Sequence, residues 1–214
     1  MELVIFDLDG TLLNTIEDLA ACANHVLEKH GMPVHTVEEV TRMVGRGMRN
    51  LIKAATPPMT PDQTVDSFLK EFLEWYQEHL DVYTKAYPGM VELVNRLNKK
   101  GYSIAVASNK IQAGTEKLIR NFFPEIPFVA VMGNSPEFPL KPSADVVNYI
   151  IGKAGIEKSN AIMVGDSDID IQTAHNAGIP VIAVSWGFRP RHELTQADFI
   201  ADKADDIMEF ILKN

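Results

Sequence analysis

The sequence predicts an α/β protein: a doubly wound parallel sheet with a small all-helical unit inserted near its start. Three observations lead there. Short apolar runs at residues 3–6, 103–107 and 161–164 each end in polar or acidic residues, which is how strands buried on both faces read. From Gly89 onward these runs alternate with amphipathic stretches of helical period, and such strand–helix units imply right-handed parallel crossovers. Between residues 15 and 81 the alternation stops and only helical patterns remain.

The first strand, residues 3–6, runs straight into Asp7-Leu8-Asp9-Gly10-Thr11-Leu12. On an extended chain residues i and i+2 point the same way, so Asp7 and Asp9 can serve one site. In open α/β sheets the carboxyl end of a strand is where ligands bind. Two carboxylates this close repel unless a metal or a shared proton intervenes. The competing reading is a strand-to-turn junction, where Asp and Gly occur as turn formers.

The insert follows. Ile16, Leu19, Ala20, Ala23 and Leu27 form one helical face, with Thr15 and Asp18 as a capping pair at its start. Thr36 with Glu39 repeats that pattern ahead of a short helix. Gly45-Arg46-Gly47 interrupts before a helix at 48–55, and the prolines of 56–61 mark a loop. Val65, Phe68, Leu69, Phe72 and Tyr76 define a long amphipathic helix that ends near Leu80. The predicted division is therefore a helical unit at 15–81 and a discontinuous core at 1–14 and 82–214.

Beyond Gly89 come a helix at 90–100 stopped by Gly101, a strand at 103–107, a helix at 113–121 and a strand at 128–132. A helix running to Lys153, a strand at 161–164, a helix at 169–177 ended by Gly178 and a strand at 181–184 complete the alternation. Phe199 and Ile200 make an edge strand before a final helix. Ser108 and Asn109 fall where a strand is predicted to meet a helix. Their polar groups suit a phosphate oxygen there, or serve as an ordinary helix start. Lys141-Pro142 follows a Pro-rich loop, and Gly165-Asp166-Ser167-Asp168-Ile169-Asp170 follows the 161–164 strand.

A strand-end Asp pair, a strand-end Ser, a single Lys and a strand-end Gly-Asp-x-x-x-Asp, in that order, resemble the four motifs of the haloacid dehalogenase superfamily. The resemblance covers essentially the whole chain. It implies that Asp7 is the nucleophile of phosphoryl transfer, that Asp9 protonates the leaving group and then activates water, and that Lys141 neutralises charge at the phosphoryl group. It also implies Mg²⁺ as cofactor, held by Asp7, the Asp9 main chain and Asp166, with Asp170 ligating directly or orienting a metal-bound water. Asp168 is read as solvated or outside the ligand set. Gly10, Thr11, Ser108 and Asn109 are expected to contact the substrate phosphate.

The insert matches in position the helical cap of that superfamily. The Asp-x-Asp-Gly-Thr-Leu run, the Gly45-x-Gly47 loop and Gly165-Asp166-Ser167 most resemble phosphoglycolate phosphatases; Asn14 departs from the Asp those enzymes usually have. Arg46 either reaches a substrate carboxylate bidentately or brackets the helix surface. Arg189, in Trp186-Gly187-Phe188-Arg189-Pro190, either lines the same entrance or is a solvated loop residue. Other readings within the superfamily are a β-phosphoglucomutase-like mutase, a pyrophosphatase or nucleotidase, and a phosphonate hydrolase using Lys53. From outside enzymology the competitor is a catalytically silent binding protein on the same fold, which predicts loss of Asp7, Asp9, Lys141 or Asp166; all are present.

Composition bounds the partners. The formal charge of −9 argues against a nucleic-acid binder that works by phosphate neutralisation, and no apolar run approaches the roughly 20 residues of a membrane span. No basic stretch precedes an apolar segment at the N-terminus, so a cytoplasmic location is expected. The single cysteine, Cys22, forms no intramolecular disulfide and is expected to be a small buried side chain. His25, His30 and His175 lack a metal-binding spacing, and Trp75 is expected to pack. The expected partner is a small phosphorylated metabolite, and the expected state of the chain is a monomer or homodimer.

Overall fold

The computed structural model describes residues 1–213; Asn214 lies outside the described residues. Strand β1 (Leu3–Phe6) and a two-residue strand β2 (Leu13–Asn14) lead into four helices: α1 (Ile16–Lys29), α2 (Val37–Met43), α3 (Met48–Ala55) and α4 (Asp62–His79). The chain returns through β3 (Lys85–Ala86) and then alternates: α5 (Met90–Lys99), β4 (Ser103–Ile111), α6 (Gln112–Phe122), β5 (Ala130–Asn134), α7 (Asp145–Ala154), β6 (Ala161–Gly165), α8 (Asp168–Ala177) and β7 (Val181–Val184). Strand β8 (Phe199–Ala201) and helix α9 (Ala204–Lys213) close the fold.

Six strands form a parallel sheet in the order β5-β4-β1-β6-β7-β8. The predicted doubly wound α/β class is the one observed. Alternation along the strands divides the interior into two apolar clusters. Val4, Phe6, Ile104, Val106, Ile162 and Val164 face α5, α6 and α9, while Leu3, Ile5, Ala105, Ala107 and Met163 face α7 and α8. Both faces of the central strands are therefore buried, as their unbroken apolar runs required. The first cluster does not stop at the sheet. It continues through Leu8, Leu12 and Leu19 into Met48, Leu51, Phe68, Phe72 and Tyr76, so α1–α4 share apolar contacts with the sheet domain as well as with one another.

Four local features differ from the sequence reading. The two connections to the helical stretch are not loops: Leu13 pairs with Ala86 and Asn14 with Lys85 in an antiparallel ribbon. Strand β4 runs on to Ile111 rather than ending at Ala107, which places Ser108 and Asn109 inside the strand instead of at a helix start. Strand β5 begins two residues later than predicted. Thr15 is the N-cap residue of α1 but makes no side-chain cap bond. Its hydroxyl donates to Asp9 Oδ1 at 2.7 Å, and Asp18 accepts instead from the Tyr83 and Thr84 main-chain N–H groups and the Thr84 hydroxyl. The second expected capping box, Thr36 with Glu39, is formed.

Candidate active site

The chain builds the sheet outward from β1 through β4 and β5, then crosses to the other side of β1 for β6, β7 and β8. At such a switch point the loops diverge and leave a crevice at the carboxyl ends of the strands. Asp7 is the first residue beyond β1 and Asp166 the first beyond β6. With Ser108, Asn109 and Lys110 of β4, Lys141 from the loop after β5, and Asp9 and Asp170, they border one cavity of about 50 Å³.

Two lysines divide three carboxylates between them. Lys141 Nζ lies 2.8 Å from Asp7 Oδ1 and 2.6 Å from Asp170 Oδ1. Burial works against its charge, and Asp170 and Asp7 outweigh burial, so the ammonium is held above the ordinary lysine range. Lys110 Nζ lies 3.0 Å and 3.3 Å from the two oxygens of Asp9 and also donates to the Tyr76 hydroxyl of α4. Asp7 and Asp9 are thus bonded to different lysines, Asp7 to Lys141 and Asp9 to Lys110.

Asp7, Asp166 and Asp170 offer oxygens that all lie within 4.8 Å of one another. Lys141 is the only ammonium bonded to this group among the described residues, leaving two negative charges in excess when all three carboxylates are ionised. The cost appears in their proton affinity. Burial, with Asp170 adding to it and Lys141 opposing, raises Asp7 to about 7. Burial, then Asp170 and Asp7, pushes Asp166 well above the carboxylate range. A divalent cation cancels such an excess, and an all-oxygen donor set suits a hard ion. The donors are unequally committed. Asp170 accepts from Lys141 on one oxygen and from the Ser167 main chain and hydroxyl on the other. Asp7 is bonded through Oδ1 to Lys141, and Asp166 through Oδ2 to the Phe188 N–H at 2.6 Å.

Two glycines make room for Asp166. A Cβ on Gly10 (φ +89°) would lie 2.3 Å from Asp166 Oδ2, and one on Gly187 would lie 2.2 Å from Asp166 Cβ.

The helical side of the cavity is apolar: Leu19, Val44, Met48 and Leu51 line it with the main chain of Gly45 and Gly47. Two residues from the sheet domain grip this wall. Asn109 donates from Nδ2 to the Gly45 and Lys141 carbonyls and accepts from the Lys141 N–H. Arg189 donates to the carbonyls of Thr41 and Val44 at 3.0 and 2.6 Å.

This constellation at the switch point agrees with relatives found by comparison. The haloacid dehalogenase-like hydrolase profile matches residues 4–184. The chain belongs to that family. Among haloacid dehalogenase-like hydrolases it is 36% identical over 193 residues to a phosphoglycolate phosphatase of Mesorhizobium japonicum, covering 89% of this chain and 85% of that one. A phosphoglycolate phosphatase of Agrobacterium fabrum is 33% identical over 87% of this chain and 81% of its own. Among solved structures, a predicted phosphoglycolate phosphatase from Haemophilus somnus superposes with a TM-score of 0.90 at 28% identity, over 98% of this chain and 97% of that one.

Within this hydrolase site the structure gathers Asp7, Asp9, Ser108, Asn109, Lys141, Asp166, Asp170 and Arg189 around the cavity. Gly10, Thr11 and Arg46 are not among its lining residues. Thr11 is fully buried with its hydroxyl unpaired among the described residues. Arg46 is exposed, with its guanidinium 3.7 Å from Asp168. Arg189 is not a solvated loop residue. Sequence reasoning missed Lys110, Tyr76, Thr15 and Phe188. Lys110 had a signal available: it directly follows Ser108-Asn109, but the strand was taken to end three residues earlier. Cys22 is buried as expected, and burial pushes its thiol up to about 12, which leaves it inert as a nucleophile. Among the described residues no helix is long and apolar enough to cross a membrane.

Proposed function

We propose that this hydrolase is a Mg²⁺-dependent phosphatase acting on a small phosphate monoester of the phosphoglycolate type, through a phosphorylated aspartate at Asp7. The observation that carries the reading is the setting of Asp7: at the switch point, pinned through Oδ1 by Lys141, with Oδ2 free of hydrogen bonds among the described residues, and within 4.8 Å of Asp166 through a carboxylate oxygen. A carboxylate fixed in this way is a nucleophile whose orientation is set before substrate arrives.

Asp7 Oδ2 forms the new O–P bond as the ester O–P bond breaks. Asp9 gives its proton to the departing alkoxide and then takes one from the water that attacks phosphorus, releasing phosphate and restoring the Asp7 carboxylate. Lys141 keeps charge neutralised at Asp7 throughout. Asp7 and Asp166 would hold Mg²⁺, and Asp170 would act through its bonds to Lys141 and Ser167 or through water, because both its oxygens are engaged. When bound, such an ion would supply positive charge that offsets the negative charge of the phosphoryl group. Ser108, in the cavity wall, contacts the phosphate, while Asn109 braces the Lys141 main chain.

Residues 15–81 act as a cap over the core formed by 1–14 and 82–214. Substrate size follows from this closure. About 50 Å³ holds a few water-sized groups, so the cap lifts to admit substrate, and a small ester fits beneath it better than a hexose phosphate. Its wall offers apolar side chains, glycine main chain and Arg189. Arg46 reaches the cavity only after leaving Asp168, an exposed and therefore weak pairing.

The reading is tested by turnover of phosphoglycolate, hexose phosphates, nucleotides and pyrophosphate compared by kcat/KM, with the Asp7→Asn variant alongside. Phosphoglycolate is expected to rank first, and Asp7→Asn to lose at least about 10⁴-fold in kcat with its fold intact. Wild-type turnover by Asp7→Asn rules out Asp7 as nucleophile. A low rank for phosphoglycolate removes the substrate assignment and leaves the phosphatase class standing.

A further inference from the structure

Among the described residues Lys110 is the one lysine whose side chain is wholly out of solvent, set against an Asp9 that keeps a small exposed edge. Burying an ammonium is costly unless each N–H finds an acceptor. Its three nearest acceptors are both oxygens of Asp9 and the hydroxyl of Tyr76, itself fully buried on α4. Tyr76 stays a neutral phenol there, because burial raises it well above its ordinary range and Asp9 adds to the shift. Thr15, the residue that enters α1, donates to the same Asp9 oxygen that lies nearer Lys110. Asp9 is therefore held by one residue from the sheet and one from the mouth of the helical unit, and the sheet residue is itself held by a third from the far end of that unit. Nothing in this arrangement touches the Asp7, Asp166 and Asp170 group directly.

We propose that Lys110 is a positioning residue that orients the Asp9 carboxyl toward the leaving group, and that Tyr76 makes this orientation depend on the docking of α4. The proposal rests on the phosphatase reading above. Its contribution is geometric. With Oδ1 loaded by Thr15 and Lys110 and Oδ2 bonded only at 3.3 Å, Oδ2 is the oxygen left free to exchange a proton with the substrate. Without the ammonium the carboxyl can turn about its χ2, and proton delivery is lost while the nucleophile and its lysine stay in place.

The consequence separates substrates by leaving group. An alkoxide departs only when protonated, whereas p-nitrophenolate departs without help. kcat/KM covers the steps up to departure and is independent of the later hydrolysis of the phosphorylated aspartate, which all substrates share. The experiment measures kcat/KM of the Mg²⁺-loaded enzyme for phosphoglycolate and p-nitrophenyl phosphate in wild type, Lys110→Met and Tyr76→Phe. Lys110→Met is expected to lose about 10²-fold on phosphoglycolate, the lower range of general-acid contributions, and less than about 5-fold on p-nitrophenyl phosphate. Tyr76→Phe, which keeps the ring and its packing, shifts the same ratio by about 3- to 10-fold.

Equal losses on both substrates in Lys110→Met mark a merely structural lysine and overturn the proposal. So does an unchanged ratio in Tyr76→Phe, which decides the matter alone if Lys110→Met does not fold. A wild type inactive on both substrates overturns the phosphatase reading instead, so the two failures are distinct.

Discussion

Replacing Gly10 by alanine tests why a glycine follows the two aspartates. The new Cβ would sit 2.3 Å from Asp166 Oδ2 and 2.7 Å from its Cγ, against an ordinary contact of about 3.5 Å. The carboxylate must therefore give way by about 1 Å. It cannot move without loss, because Oδ2 is bonded to the Phe188 N–H and the backbone of Gly187 is close by. Losing a hydrogen bond to a charged group costs about 1.5–3 kcal/mol, and a non-glycine residue at this φ costs about 1–2 kcal/mol. The sum, about 3–5 kcal/mol, corresponds to a fall in Tm of about 6–20 °C for a chain of this length.

A control isolates the clash. Gly101 has the same φ of +89° with nothing within 4 Å of its would-be Cβ, so Gly101→Ala should show the backbone cost alone, about 1–2 kcal/mol. The second readout is Mg²⁺ affinity by isothermal titration, expected to weaken about 10- to 100-fold in Gly10→Ala, as when a ligand loses its supporting contacts, and to be unchanged in Gly101→Ala. Equal stability losses in the two variants, with Mg²⁺ affinity unaltered in both, would refute the reasoning that Gly10 exists to clear Asp166.

Two further outcomes follow from the geometry. Asp18, buried at the start of α1, accepts three bonds from Tyr83 and Thr84; Asp18→Ala leaves these donors unmet and should cost about 3–5 kcal/mol in urea unfolding, with Asp18→Asn in between, and a loss under about 1 kcal/mol would show that water replaces the carboxylate. A cation held by the acidic cluster, as proposed, would link its binding to pH. Asp7 is raised to about 7 in the folded protein, above its unfolded value, so the stability it contributes is present at low pH and lost as pH rises through about 7. Mg²⁺ relieves this loss only where the carboxylates are ionised, so the rise in Tm on adding Mg²⁺ should be larger at pH 8 than at pH 5.5. A rise that shrinks with increasing pH contradicts the assignment of these carboxylates to the cation.

The major elements were legible because hydrophobic period survives in each. The unbroken apolar runs of β1, β6 and β7 and the face formed by Val65, Phe68, Phe72 and Tyr76 leave little choice of secondary structure. Legibility failed where local chemistry has two uses. Thr15 and Asp18 have the spacing of a helix cap, yet Asp9 and the Tyr83–Thr84 main chain compete for the same oxygens and win. Ser108-Asn109-Lys110 looked like the end of a strand because polar residues follow an apolar run, whereas β4 continues with those side chains turned into the site. Strands of two residues, such as β2 and β3, have no period to read. Arg189 was ambiguous for another reason: its acceptors, the Thr41 and Val44 carbonyls, lie more than 140 positions away, and no local pattern announces them.

The pairing of Leu13 with Ala86 and Asn14 with Lys85 also bears on how such a protein can change. The chain leaves and rejoins the sheet domain at a single seam, with departing and returning strands side by side. A different segment whose own ends are neighbours can join at those two points and keep the pairing of β1 with β4, provided that it restores the apolar face and the bonds that Thr15 and Tyr76 now supply. Changes confined to that segment leave Asp7, Lys141 and Asp166 unaltered, since all three lie outside it in the sequence. Grafting the segment between Asn14 and Lys85 from a relative onto this sheet is the corresponding route for the laboratory.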